Sequence, residues 1–186
     1  MSDEPATRIQ DAATALFAER GFEGTSVRDI AQHAGVTAGS INYYFGSKGS
    51  LHQECGRRLA QEYLTEARGL LESEGPLAVL EHYADYAIRD PKLVQIWLDL
   101  QGARDPEKRA FSDREIMHPI QLFLMEALGQ MGDAPMDRRM KMICFVGAVI
   151  LRSMFTEEQF KLLAGTSTEE GNVAFKEVLF SKLIDD

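Results

Sequence analysis

Cysteine is scarce in this chain: only Cys55 and Cys144 occur in 186 residues, far apart and in no C-x-x-C pair. That excludes a disulfide framework or a paired-thiol zinc site and leads us to expect free thiols in the cytoplasm. Long apolar runs are missing too. The longest, "ICFVGAVIL" from Ile143 to Leu151, is far below the roughly 18 residues of a membrane span, so no membrane partner is expected. The opening "MSDEPATRIQDAA" carries acids and no apolar stretch of the kind a signal peptide needs. Basic charge is in deficit, with a net charge of −9. Residues 1–50 hold four basic and six acidic residues, a balance of −2, and the rest carries −7. A strongly basic face, the usual electrostatic footprint of a nucleic-acid binder, is therefore absent from the totals. Any DNA contact must rely on placement of hydroxyls, backbone N–H groups and helix N-termini, with a few cations. No phosphate-binding glycine loop occurs, because "FGSKGSL" lacks adjacent Gly-Lys-Ser/Thr and the spaced glycine before it. No nucleophile elbow and no strand or hairpin pattern is found, so neither a catalytic residue nor a cofactor is expected.

What is present is helix. An apolar fraction of 45% against 26% charged residues is that of an ordinary globular chain. From about Glu4 to Arg20, the positions Ile9, Ala13, Leu16 and Phe17 form one stripe of an amphipathic helix. Gly21 closes it, with Phe22 folding back. Ser26 starts a second helix with Asp29 three residues on, a capping box with aspartate in place of glutamate. Val27, Ile30, Ala31 and Ala34 line its inner face and Gly35 ends it. Thr37 is then a good N-cap for a third helix running only to about Phe45.

Two short helices joined by a tight glycine turn predict a helix-turn-helix, whose second helix lies in the DNA major groove. Ile41 and Phe45, four apart, are expected to face the core. That leaves Thr37, Ala38, Gly39, Ser40, Asn42, Tyr43 and Tyr44 outward. Gly39 and Ser40 are small enough to let the backbone approach DNA, Asn42 suits a base edge, and tyrosine hydroxyls suit phosphate oxygens. Ser47 caps a fourth helix, so Lys48 in its first turn and the free N–H groups there suit one phosphate.

"GFEGTSVRDIAQHAGVTAGSINYYFGSKGSL", residues 21–51, resembles the N-terminal DNA-binding region of the TetR family of bacterial transcriptional regulators. The matching features are "TSVRDIA", "AGV", a hydroxyl residue then Gly at the recognition helix, the aromatic "YYF", and "SK" opening helix four. The resemblance implies phosphate contacts from Thr25, Ser26, Thr37, Tyr43, Tyr44 and Lys48, with Ala38, Gly39, Ser40 and Asn42 nearest the bases. Arg28, on the helix-two surface, either reaches phosphate or pairs with an acid. Asn42 stands where many members have tyrosine, and Gly49 where an acid is common.

After Ser47, Leu51, Cys55, Leu59 and Tyr63 repeat every four residues, predicting one long helix to about Glu74, where "EGP" breaks it. Further helices are expected over about 76–89, from "DP" at Asp90 and Pro91 through about Ala103, and from "RDPEK" onward through Pro119 with a kink near that proline. Two more are expected over about 136–155 and 168–183. The first of these carries Met140, Ile143, Cys144, Phe145, Val146, Val149, Ile150, Leu151, Met154 and Phe155, apolar on more than one face. With Val173, Leu179, Phe180 and Leu183 of the last helix it predicts half of a four-helix homodimer interface. The expected architecture is all-α: a helix-turn-helix DNA-binding domain over 1–50, joined by a long helix to a helical effector-binding and dimerisation domain over 51–186.

The resemblance further implies a ligand-responsive homodimeric repressor on a near-palindromic operator, released by a small-molecule effector. Candidate pocket residues are His82, Tyr83, Tyr86, Trp97, Met117, His118, Phe123, Met125 and Phe145, types that fill cores as readily as they line cavities. The acidic balance after residue 50 favours a cationic or neutral lipophilic effector over an anion. One rival of another class exists. Glu115 and His118 form Glu-x-x-His, the spacing of carboxylate-bridged dimetal bundles. That site needs a second copy of the motif and two more glutamates. His82 with Asp85 is only a partial echo, so no metal is expected.

Overall fold

A computed structural model describes residues 4–131 and 135–184, with the side chains of 135–140 and 182–184 outside the description. Met140 and Leu183, expected on the apolar faces of two late helices, fall among those side chains. Every regular element among the described residues is helical. In order they are α1 (Pro5–Arg20), α2 (Val27–Ala34), α3 (Ala38–Phe45), α4 (Lys48–Ser73), α5 (Pro76–Arg89), α6 (Lys92–Gln101), α7 (Pro106–Ser112), α8 (His118–Gln130), α9 (Pro135–Ser153), α10 (Glu157–Ala164) and α11 (Thr168–Ile184). A π-helical turn, Asp113–Met117, joins α7 to α8.

Two compact units divide the chain: Met1–Thr65 with Pro91–Ile120, and Glu66–Asp90 with Gln121–Asp186. The head expected over residues 1–50 lies in the first, together with the start of α4, with α6 and with α7. Its core is the predicted stripe Ile9, Ala13, Leu16 and Phe17 of α1, met by Ile30 and Ala31 of α2 and Ile41 of α3. Leu51, Cys55 and Leu59 of α4 join it, with Ile96 and Leu100 of α6 and Ile116 of the π turn. Gly56 sets how closely α4 packs. A Cβ there would stand 2.6 Å from Ile116 Cδ1 and 3.2 Å from Ile96 Cγ2.

The second unit buries Val79, Leu80, Tyr83 and Ala84 of α5 with Phe145, Val146 and Val149 of α9. Phe145 links the rings of Tyr83, at 5.6 Å between centroids, and Phe180 of α11, at 6.0 Å. Two local features differ from the sequence expectation. The irregularity expected near Pro119 takes the form of the π turn just before it. Proline has no N–H to donate one turn back, and a π turn shifts the hydrogen-bond register where that donor is missing. The chain between α9 and α11 also folds a helix, α10, that apolar periodicity did not reveal. Its marks are a full capping box, Thr156 with Gln159, and a left-handed Gly165 at its end. No described helix is long and apolar enough to cross a membrane.

Candidate nucleic-acid interface

The caps predicted from sequence are formed. Ser26 Oγ accepts the Asp29 N–H at 3.1 Å while the Asp29 carboxylate accepts the Ser26 N–H at 3.1 Å and its hydroxyl at 2.6 Å. These hydrogen bonds from Ser26 hold the Asp29 carboxyl below the usual carboxylate range. Gly35 ends α2 in the left-handed conformation, φ 64°, which a side chain would strain. Two residues later Thr37 Oγ1 accepts the Ser40 N–H at 3.3 Å and starts α3. The turn of the helix-turn-helix is thus closed on both sides by side-chain and backbone hydrogen bonds.

On α3, Ile41 is fully buried and Phe45 half-buried, as their spacing predicts. Thr37, Ala38, Gly39, Asn42, Tyr43 and Tyr44 are exposed and Ser40 is partly so. No charged side chain lies on α3. Tyr43 is 83% exposed, and its ring meets Tyr44 edge-on at 5.0 Å. An aromatic side chain so exposed gains little by packing; its hydroxyl is available to an outside acceptor.

Thr25 is the one residue of the eleven expected contacts whose side chain is buried. Its hydroxyl lies 3.1 Å from the Leu16 carbonyl and 2.9 Å from the Gly21 carbonyl, tying the end of α1 to the following turn. Lys48 is half-buried and braces the same turn: Nζ donates to the Phe22 carbonyl at 2.9 Å and the Thr25 carbonyl at 3.0 Å, and stands 4.1 Å from the Phe22 ring centre. An ammonium has three donors, so one remains. Ser26 and Arg28 are exposed beside this turn. Sequence reasoning gave Lys48 a ligand-facing role and missed the bracing one, because the two carbonyls it holds are more than twenty residues away.

Sequence reasoning also missed the connection of the turn to α6. Asp99 Oδ2 accepts the Phe22 N–H at 2.8 Å, and His52 is buried between the rings of Phe17, at 4.6 Å, and Phe22, at 5.0 Å. Burial, with Lys108 and Lys48 adding, pushes the His52 imidazole down to about 4. Asp99 lies 3.9 Å from its Nε2, too far to hydrogen-bond and too exposed to offset that burial.

The expected effector-pocket residues do not fall in one unit. Trp97, Met117 and His118 belong to the first, and His82, Tyr83, Tyr86, Phe123, Met125 and Phe145 to the second. Within the second, Tyr83, Phe123 and Phe145 are buried, His82, Tyr86 and Met125 half-buried, and the His82 and Tyr86 rings are 6.0 Å apart. In the first, Met117 is buried, Trp97 half-buried and His118 exposed. Glu115 is engaged by cations, with Arg114 at 2.8 Å and Arg57 at 3.6 Å. Among the described residues no group of three or more His, Cys, Asp or Glu converges as metal ligands.

Comparison with known proteins agrees with this geometry. Residues 9–55 match the family described as bacterial regulatory proteins, tetR family. The transcriptional repressor KstR2 of Rhodococcus jostii is 40% identical over 67 residues, covering 36% of this chain and 33% of its own. The curated relatives first matched are spanned over about a third to a half of their length. Solved structures share the fold over nearly the whole chain. FadR of Bacillus subtilis, solved with stearoyl-CoA, has a TM-score of 0.72 at 19% identity, covering 93% of this chain and 96% of that one. AibR, solved with isovaleryl coenzyme A and operator DNA, has a TM-score of 0.66 at 24% identity, covering 92% and 95%. With the helix-turn-helix formed as its caps dictate, residues 9–55 match the DNA-binding region of the tetR family of bacterial regulatory proteins, and the whole chain shares the fold of solved regulators of that kind.

Proposed function

We propose that this protein is a sequence-specific DNA-binding transcriptional regulator, a homodimeric repressor released from its operator by a small molecule. The observation that carries the reading is the exposed, uncharged face of α3 from Ala38 to Tyr44, presented by a helix whose other side is fixed by Ile41. Asn42 is the side chain on that face able to pair with a base edge, while Ala38, Gly39 and Ser40 let the helix backbone come close. Phosphates are met around it by Ser26, Thr37, Tyr43, Tyr44, Arg28 and the remaining donor of Lys48, assisted by the N–H groups at the starts of α2 and α4. Thr25 enters as the residue that shapes the turn.

The dimer is supported by exposed apolar side chains on and beside two helices of the second unit: Ile143 and Leu151 of α9, Met154 just after it, and Val173 and Val178 of α11. An isologous interface through these faces would put two recognition helices on one operator, about 34–36 Å apart for half-sites one DNA turn apart. The effector would act by preferring the head spacing that mismatches that site. The charge of the second region favours a neutral or cationic lipophilic compound. The coenzyme A thioesters bound by two fold relatives belong in the same screen.

Selection of bound duplexes from a random DNA pool by the purified protein tests the reading directly. An enriched inverted repeat is the expected result. Failure to enrich any sequence at low salt, with and without the screened compounds, would overturn it.

A further inference from the structure

Lys108 of α7 is far from the helix-turn-helix in sequence and against it in space. Residues 91–120 form one compact unit with the head, so α7 is held on the same body as α3 and the start of α4. The Lys108 side chain is half-buried, and its Nζ lies 4.9 Å from the centre of the Phe22 ring, the ring that Lys48 Nζ approaches to 4.1 Å. It also reaches over the first turn of α4. A Cβ built on Gly49 would stand 3.6 Å from Lys108 Nζ, 3.7 Å from its Cε and 3.7 Å from Ser47 Oγ. Two ammonium groups thus converge on one ring and one helical turn, although like charges repel. His52, packed on the same ring, registers both: burial first, and then Lys108 and Lys48, push its imidazole down.

Hydrogen bonding separates the two lysines. Lys48 spends two donors on the Phe22 and Thr25 carbonyls. Lys108 makes no hydrogen bond and no ion pair among the described residues, so all three of its donors are open. The acids lining the same cleft are Glu23, Asp99 and Asp105; Asp99 accepts the Phe22 N–H and Asp105 the Glu107 N–H. Gly49 offers no side chain at all, where a carboxylate would neutralise the ammonium at contact distance. In the reading proposed above, a DNA phosphate lies against this turn of α4. Residues 1–50 carry a net charge of −2 and have few cations to meet it. Lys108 adds one from outside that span.

We infer that Lys108 is a further DNA contact, meeting the phosphate backbone beside Lys48, so that the interface extends beyond the helix-turn-helix to α7. The inference rests on the DNA-binding reading and deepens it. Lys48 divides its donors between the turn and the phosphate, while Lys108 gives all of its own. The contact adds affinity and fixes orientation without carrying base preference.

Fluorescence anisotropy across a salt series tests it, with one duplex selected from the random pool and one unrelated duplex of the same length. Lys108→Met keeps an aliphatic stem on Phe22 and removes the charge. It should lower the slope of log affinity against log salt by about 0.9 for each head bound. Both duplexes should weaken by the same factor, with the helical circular dichroism and the selected bases unchanged. Lys108→Arg keeps the charge and should keep the slope. If Lys108→Met alters the fold, Lys108→Gln carries the same test. A slope unmoved by the loss of charge in a folded variant overturns the contact while DNA binding stands. An equal loss of slope in Lys108→Arg does the same, because it marks a structural role for the side chain. An unaltered protein that binds neither duplex at low salt removes the DNA-binding reading and the contact with it.

Discussion

Asp99 of α6 accepts the backbone N–H of Phe22 at 2.8 Å, seventy-seven residues away in sequence. Phe22 belongs to the turn that Lys48 braces from α4 and Thr25 from below, so one short loop carries the hydrogen bonds that join α1, α4 and α6. A head built from α1–α3 alone would leave this turn to solvent. Here it is fixed by α6, which explains why residues 91–120 form one compact unit with the head.

The first prediction concerns that bond. Asp99→Ala removes a charged acceptor from a partly buried N–H and should lower unfolding stability by about 1.5 kcal/mol. Asp99→Asn retains an acceptor and should lose less. Urea denaturation of the two variants checks the order; equal loss in both would mean that the negative charge, and not the hydrogen bond, is what the turn requires.

A second prediction follows from His52. Its folded value of about 4 lies below the ordinary value of 6.5, because burial disfavours the imidazolium and Lys108 and Lys48 add to the effect. The unfolded chain therefore binds a proton that the folded chain refuses. Stability from this group is fully present above about pH 6.5 and is lost as pH falls from there toward 4, on the order of 3 kcal/mol across the window. His52→Gln cannot titrate, so its unfolding free energy should fall less between pH 7 and pH 5 than that of the unaltered protein. Parallel pH profiles would show that His52 is already protonated in the fold.

Much of this was legible in the sequence, and the reasons differ by element. The head was readable because its rules are local: Ser26 with Asp29, Gly35, Thr37 and the Ile41–Phe45 spacing each act within four residues, and each is formed as read. α10 was missed because its signal is also local but polar. The Thr156–Gln159 box and Gly165 mark a helix that has no buried residue of its own, so a search for apolar periodicity passed over it. Asp99, His52 and the bracing role of Lys48 were not legible, because their partners lie 23 to 77 residues away, or in another helix, and no spacing rule connects them. The nine candidate pocket residues divide between the two units, and their burial runs from the buried Tyr83 and Phe145 to the exposed His118, because aromatic and methionine content carries no information on which unit a residue joins.

A third prediction separates the two duties of Lys48. Lys48→Ala should weaken binding to every duplex and reduce the slope of log affinity against log salt by about 0.9, as expected for one lost phosphate contact. It should also cost about 1 kcal/mol of stability through the freed carbonyls of Phe22 and Thr25. Asn42→Ala should do neither, and should instead broaden base preference at one position of the selected site. An unchanged salt slope in folded Lys48→Ala would confine Lys48 to bracing.

The two thiols give the fourth prediction, because one is buried and the other exposed. Cys55 is fully buried on α4, its Sγ 3.8 Å from the Gln10 carbonyl, and burial pushes its thiol up to about 11. The thiolate is the reactive form, so a thiol reagent at pH 8 should leave Cys55 unmodified until the protein is unfolded. Cys144 is exposed on α9, next to Ile143 and two turns before Leu151, both also exposed. It should react readily in the monomer and slowly once a second chain covers the α9 face. Modification followed by peptide mass analysis at concentrations above and below the dimer dissociation constant would show this as a rate that rises on dilution. A Cys144 rate independent of concentration across that range would place the thiol outside the dimer contact and shift the interface toward α10 and α11, where Leu162, Leu163 and Val178 remain to be covered.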